Sequence, residues 1–375
     1  MKTLLKYFRR EVVLTVALIA ALASFLLVPP GAHTLRGIDT TTLLMLFSLM
    51  TIVAGFRHMG AFDKLAGAVT SRIHSMRGLA MALSAACFLL AMVATNDVAL
   101  ITLVPFTLLL MQGAQVKHLT LTVVLETVAA NLGSMVTPIG NPQNLYLYAS
   151  GKLDALAFPA LTWPYAVLAF ALLMACCLLV PKEAVHAAKT AGSKLPSRKL
   201  VLYAALTILA LLALMKVIPA WVLAAAAALA VFAADRPVLR QVDYTLLATF
   251  VCFFVFVASV KAYAPVSAWL EGMMAGRQPG SGSPLLTSLL VSQVISNVPA
   301  CLLLSPFTAD ASALMLGVNL GGLGTLVASL ASLISFRLYG AARGARKGLF
   351  MGVFTVVNIG FLAVMLLLAW GMRAV

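Results

Sequence analysis

NLGSMVTPIGNPQN (131–144) aligns without a gap on NLGGLGTLVASLAS (319–332), and the fold is read from this pair. Asn131/Asn319, Leu132/Leu320, Gly133/Gly321 and Thr137/Thr325 coincide. Upstream, TNDVALITLVPF (95–106) matches SNVPACLLLSPF (296–307) at an offset of 201, pairing Asn96/Asn297, Ala99/Ala300, Leu103/Leu304, Pro105/Pro306 and Phe106/Phe307. Further upstream, Arg36-Gly37-Ile38-Asp39 and Arg240-Gln241-Val242-Asp243 each precede an apolar run, and the basic residues closing those runs, Arg57 and Lys261, keep the same offset of 204. Three blocks in one order are an internal repeat rather than shared apolar composition.

The rest of the chain states the medium. Of 375 residues 62% are hydrophobic and 10% charged, and the mean hydropathy is +1.04. Eleven acids and 26 bases cannot coat a soluble core of that size. The chain is therefore expected to be an all-α polytopic membrane protein forming one integral domain over 1–375. Apolar runs read as spans near 12–28, 41–56, 160–180, 200–215, 219–234, 243–260 and 349–371. Two more, 119–150 and 311–339, are interrupted by Gly, Pro and Asn. Runs 78–113 and 284–309 read as re-entrant hairpins about Thr95, Asn96, Asp97 and about Ser296, Asn297, because such short polar tips offer little to a water-exposed turn. About nine crossings and two hairpins result, with a first repeat over 12–180, a linking helix over 200–215 and a second repeat over 219–371.

The net charge of +15 is an orientation signal, not the mark of a nucleic-acid partner. With the N-terminus cytoplasmic, 20 of the 26 bases fall inside, and only Arg36, Lys152, Lys216, Lys261, Arg277 and Arg373 fall outside. Corresponding points of the repeats are separated by five crossings, an odd number, so the second is inserted upside down. The basic head and apolar run of Met1–Val28 read as a first transmembrane helix rather than a cleaved signal. Cys87, Cys176, Cys177, Cys252 and Cys301 lie in apolar segments without ligand spacing. The five histidines, His33, His58, His74, His118 and His186, lie in or near loops, which leaves no zinc site and no cofactor to expect.

Inverted repeats with discontinuous helices characterise secondary transporters, whose solutes bind where the helices break. Pro138, Gly140 and Pro142 interrupt the first helix, and Gly321, Gly322 and Gly324 the second. Thr137, Asn141, Gln143 and Asn144 accompany one break, and Thr325, Ser329 and Ser332 the other. Freed carbonyls and amide oxygens suit a cation, whereas freed amides and hydroxyls suit an anion. The alternative, that Gly and Pro merely kink these helices, does not explain two clusters related by the repeat and each joined to a polar tip. Asp97 and Glu126 are the acids expected inside spans, where ionisable groups mark ion paths or internal pairs. Asp97, beside Asn96 and with Asn297 opposite, is the first candidate for sodium or proton coupling. Glu126 is the second, with a structural role equally open. Paired aspartates, a His pair or a Ser-His set for intramembrane catalysis are missing, so an enzyme is not expected.

The tip and break motifs resemble the ion transporter superfamily over about residues 36–339. This group includes the citrate-transporter-like domain, the divalent-anion/sodium symporters, and the arsenite-efflux and sodium/proton antiporter permeases. The chain is most similar to its compact bacterial inner-membrane permeases. The resemblance implies a fold of two inverted repeats, often dimeric, with scaffold and mobile transport domains. It implies that Thr95, Asn96, Asp97, Ser296 and Asn297 face the substrate together with Thr137, Gly140, Asn141, Asn144, Asn319, Gly322 and Thr325. Dicarboxylate symporters are similar in carrying Ser-Asn-Thr at both tips, whereas here Asp97 and Val298 follow the asparagines. The Asp-bearing tip is more similar to the arsenite and antiporter branches. The reading is a secondary transporter of a small carboxylate or oxyanion in the inner membrane, coupled to sodium or protons. Cation/proton antiport or arsenite-type efflux is the alternative, and a channel is the remote one.

Sidedness is directly testable. Single cysteines at Lys152 or Lys216 in a cysteine-free background should react with a membrane-impermeant maleimide in intact cells, while Arg57→Cys and Arg240→Cys should react only after permeabilisation. The reverse pattern overturns the orientation.

Overall fold

The computed structural model describes residues 11–70, 73–184, 196–275 and 283–372. Lys2, Lys6, Arg9, Arg10, Arg72, His186, Lys189, Lys194, Arg277 and Arg373 lie outside the described residues. Among the described residues the regular structure is helical, with one isolated antiparallel bridge between Ser75 and Ala184. A bilayer offers no water to backbone groups, so helices that satisfy their own N–H and C=O are the expected solution.

The first run comprises α1 (Val12–Ser24), α2 (Ala32–Arg36), α3 (Thr40–His58), α4 (Ala61–Thr70), α5 (Met76–Ala94), α6 (Asn96–Leu110), α7 (Val116–Ser134), α8 (Pro142–Ala149) and α9 (Ala157–Cys177). Helix α10 (Ser197–Leu214) follows. The same order then recurs in α11 (Ala220–Ala234), α12 (Arg236–Leu239), α13 (Tyr244–Ala262), α14 (Ala264–Met274), α15 (Pro284–Ile295), α16 (Asn297–Leu304), α17 (Ala311–Leu320), α18 (Leu330–Gly340) and α19 (Lys347–Gly371). A 3₁₀ turn at Ser305–Phe307 extends α16. The caps recur too: Asp39 accepts from the Thr42 amide at 3.0 Å to start α3, and Asp243 accepts from the Leu246 amide at 2.9 Å to start α13. By length and composition α3, α5, α9, α10, α19 and the run Arg236–Ala262 that holds α12 and α13 can each cross a membrane.

Besides the short turns of helix α2 and α12, two longer elements were not expected. Helices α4 and α14 occupy segments whose charges read as loops. Each is a short amphipathic helix: α4 buries Ala66 and exposes Asp63 and Lys64, and α14 buries Leu270 and Met274 and exposes Glu271. Ten or eleven residues carry too little apolar sequence for a span, which is why a bilayer-length reading passes over them. The first span also stops short of the expected Val28, because Pro29 and Pro30 cannot extend a helix and the last residues before them form turns.

Packing follows the repeat and then crosses it. Within each half the hairpin packs on the first limb of its own broken helix, α5 and α6 on α7, and α15 and α16 on α17. The second limb reaches into the other half: α18 lies on α6 and α7, and α8 lies on α16 and α17. The crossing of α7 and α18 is polar, with Thr120 Oγ1 2.8 Å from Tyr339 Oη and Thr127 Oγ1 2.5 Å from Ser335 Oγ. At the equivalent crossing of α8 and α17 the core holds Leu147, Met315 and Val318. Around this intertwined unit, α3 packs on α10 and α11, and α13 packs on α1.

The contact of α5 with α7 is close enough to specify a glycine. A Cβ at Gly133 would stand 2.2 Å from the Phe88 carbonyl oxygen, a backbone atom that cannot turn aside. Gly133→Ala is expected to destabilise the protein by about 1–3 kcal/mol, the usual cost of overpacking. Gly360→Ala, with no atom within 4 Å of its would-be Cβ, should not. Thermal unfolding of both variants in detergent checks this, and equal midpoints would refute the close contact.

Candidate functional site

Each hairpin turns on a single residue in a backbone conformation that normally needs glycine. Thr95, between α5 and α6, has φ 73° and ψ 151°, and Ser296, between α15 and α16, has φ 75° and ψ 156°. For residues with a Cβ this region costs on the order of 1–3 kcal/mol, which surrounding structure must offset. Part of the offset is local: Asn96 Oδ1 accepts from the Asp97 amide at 3.0 Å, and Asn297 Oδ1 accepts from the Val298 amide at 2.9 Å. The rest comes from the breaks. Thr137 Oγ1 donates to the Met92 carbonyl at 2.5 Å and Thr325 Oγ1 to the Gln293 carbonyl at 3.0 Å, so repeat-equivalent threonines fasten repeat-equivalent positions. The Asn96 amide donates to the Gly140 carbonyl at 3.0 Å. In the second half Ser296 Oγ donates to the Ala328 carbonyl at 3.4 Å.

The two breaks are tied to each other through the asparagines that align in the repeat. Asn319 Oδ1 accepts from Asn141 Nδ2 at 2.9 Å, and Asn319 Nδ2 donates to Asn144 Oδ1 at 2.8 Å. Asn131 does the same at the other break: its Oδ1 accepts from Ser329 Oγ at 2.9 Å, and its Nδ2 reaches Ser332 Oγ at 3.4 Å and the Gly322 carbonyl at 3.3 Å. Ser329 and Ser332 stand where Asn141 and Asn144 stand in the first half. Freed carbonyls are also covered. Asn144 Nδ2 donates to those of Met135 (3.1 Å) and Thr137 (3.0 Å), and Gln293 Nε2 to those of Gly321 (2.8 Å) and Leu323 (3.0 Å). Gly140 is required here, since a Cβ would lie 2.1 Å from the Ser134 carbonyl oxygen.

One face of this network opens into a cavity of about 330 Å³ between α3, the first tip, the first break and the start of α13. Thr95, Asp97 and Asn141 line it together with the polar residues Arg57, Gln241 and Asp243 and the apolar Leu49, Met50, Val98 and Ile139. Asp97 Oδ1 is buried and has no hydrogen-bond partner. A second cavity of about 650 Å³ shares Arg57, Ile101 and Gln241 with the first and adds Asp63.

Of the residues expected to form the site, Asn96, Thr137, Gly140, Asn144, Ser296, Asn297, Asn319 and Gly322 belong to the buried hydrogen-bonded wall behind this cavity rather than to its lining. Thr325 is exposed, held against Gln293. Glu126 does not join the site. It is buried between α6 and α7, accepts from the Thr107 hydroxyl, and leaves Oε2 without a partner. Arg57, Gln241, Asp243 and Gln293 were not among the expected site residues. The signal for Arg57, Gln241 and Asp243 was present in the Arg36/Arg240 repeat block, where they read only as polar residues flanking spans. Gln293 had none, since Met92 occupies the equivalent place. Among the described residues no group of three or more His, Cys, Asp or Glu could hold a metal.

The tip conformation yields a reversed stability order. Thr95→Gly should be more stable than Thr95→Ala by about 1–2 kcal/mol, opposite to the usual helix preference for alanine, because only glycine relieves the positive φ. Chemical denaturation of the two variants measures it.

Comparison with known proteins places this arrangement. Residues 4–315 match the profile of the citrate transporter family. Inner membrane protein YbiR of Escherichia coli is 35% identical over 305 residues, covering 80% of each chain. An uncharacterized transporter of Methanocaldococcus jannaschii is 29% identical over 325 residues, covering 86% of this chain and 88% of its own. The silicon efflux transporter LSI3 of Oryza sativa is 31% identical over 121 residues, covering 32% of this chain and 25% of its own. The fold is similar to the crystal structure of the YdaH transporter of Alcanivorax borkumensis, with a TM-score of 0.56 at 15% identity, covering 93% of this chain and 88% of that one. With a profile match over most of its length and a transporter fold, the chain belongs to the citrate transporter family of membrane proteins.

Proposed function

We propose that the protein is a secondary active transporter that moves a small anion, a carboxylate or an oxyanion, across the inner membrane by alternating access coupled to sodium or protons. The observation that carries this reading is Asp97, a carboxylate on a strained hairpin tip that faces the cavity with one buried oxygen unpartnered. An uncompensated carboxylate in a low-dielectric site demands a proton or a cation, and binding one there lets a gradient be coupled to a conformational change. Thr95, Asp97 and Asn141 face the substrate in this reading, and the tip residues Asn96, Ser296 and Asn297 with the break residues Thr137, Gly140, Asn144, Asn319, Gly322 and Thr325 hold that region in shape. Asn96, Asp97 and Asn297 are its cation-coupling part. Glu126, apart from the cavity, has two readings, a second coupling acid or a structural partner of Thr107. The protein works in the inner membrane with its N-terminus cytoplasmic, as a homodimer embedded in lipid, without cofactor or nucleic acid.

Efflux is the second reading, and one observation favours it. A fixed carboxylate at the tip repels a dianion by Coulomb's law unless a cation or proton intervenes, so a weakly charged oxyanion suits the tip better than a di- or tricarboxylate. The rice relative named as a silicon efflux transporter points the same way. A sodium/proton antiporter would use the same acid without an anion. A channel would need neither strained tips nor coupling.

Proteoliposome flux with a panel of carboxylates and oxyanions, with and without sodium and pH gradients, separates these readings. Asp97→Asn is expected to lower gradient-driven accumulation by at least about tenfold while the purified protein stays folded. Undiminished accumulation by this variant would remove Asp97 from the coupling role, and steady ionic current without solute exchange would replace the transporter with a channel.

A further inference from the structure

The cavity is lined by two carboxylates that come from different halves of the repeat. Asp97 stands on the first hairpin tip, and Asp243 caps α13 in the second half. The repeat explains why Asp243 is free to do more than cap. Its counterpart Asp39 spends both oxygens on one residue, Oδ1 on the Thr42 amide at 3.0 Å and Oδ2 on the Thr42 hydroxyl at 2.7 Å. The residue three beyond Asp243 is Leu246, which offers an amide to Oδ1 and has no hydroxyl for Oδ2. Asp243, an exposed residue, thus keeps its second oxygen out of the cap, and it lines the cavity together with Asp97, whose Oδ1 is buried without a partner.

The charge count in this space selects a ligand class. Among the described residues, the ionisable groups lining the cavity are Asp97, Asp243 and Arg57. Two carboxylates and one guanidinium leave a single uncompensated negative charge, which one monovalent cation cancels and a divalent ion would overshoot. Hard carboxylate and amide oxygens, with room for several waters in about 330 Å³, suit sodium.

We propose that Asp97 and Asp243 together form a sodium site that bridges the first hairpin tip and the start of α13. This deepens the transport reading above and rests on it for the use to which the cation is put. Such a site exists only while the tip and α13 face each other, so sodium binding favours this conformation over any in which they part. Arg57, on α3, supplies the counter-charge that keeps the site from holding two cations.

The test is thermal unfolding of the purified full chain in detergent, titrated with sodium chloride against choline chloride at constant ionic strength and pH. Wild type should gain stability with sodium, and Asp97→Asn should lose the response. Asp243→Asn and Asp243→Ser should raise the half-saturating sodium concentration by about tenfold or more. Both retain an N-cap acceptor, so their folding is checked by their unfolding temperature without sodium. Asp39→Asn makes the same change at the repeat-equivalent cap, away from the cavity lining, and should titrate like wild type. If Asp97→Asn loses the response and both Asp243 variants titrate like wild type, the shared site is wrong while Asp97 keeps its coupling role. If wild type shows no sodium response, the sodium site is wrong, and flux driven by a pH gradient then decides separately whether the transport reading stands.

Discussion

A helix broken inside a bilayer exposes backbone donors and acceptors that no water is there to meet. Everything else in this protein is arranged around two such breaks. Asn131 and Asn319, each on the first limb of one broken helix, bond the second limb of the other. Each half thus supplies part of what its opposite needs, while Asn144 and Gln293 cover freed carbonyls from within their own repeats. The crossing of α8 and α18 between halves is the geometric consequence, and it makes the repeats one intertwined body rather than two domains side by side.

The hairpins depend on the same seam. Their pivots, Thr95 and Ser296, are held in a conformation that costs each residue free energy, and the fastenings to Gly140, Ala328 and the two threonines offset it. The strain is symmetric but the chemistry is not. An acid follows the first asparagine and a valine the second, so only the first tip is charged, and it is the first tip that meets the cavity. The tip and break that line the cavity thus belong to one half of a nearly symmetric frame, with the other half supplying the capping acid Asp243 and a buried polar scaffold.

The legibility of this design varies by residue. Gly133, Gly140, Asn131 and Asn319 declare themselves in the repeat, because a close approach or a broken ladder demands particular residue types at particular spacing. Asp97 declares itself because an acid flanked by apolar sequence is costly anywhere in a membrane. Arg57 and Asp243 read as ordinary flanking charges, and α4 and α14 as loops, since their sequences satisfy solvent-facing rules equally well. Glu126 shows the opposite difficulty: its burial was legible, its distance from the cavity was not.

By itself the sequence determined the medium, the all-helical class, the duplication and the positions of the tips and breaks. These follow from hydropathy, from residues that cannot continue a helix and from matched spacing, all of which are local along the chain. Only the tertiary structure decided that the second limbs exchange partners, that the second tip's Asn297 and the break residue Asn319 lie in a wall while Asp97 faces open space, and that Asp243 shares that space. That a capping acid shares a cavity with a hairpin tip depends on packing between segments more than a hundred residues apart, and no local pattern records it.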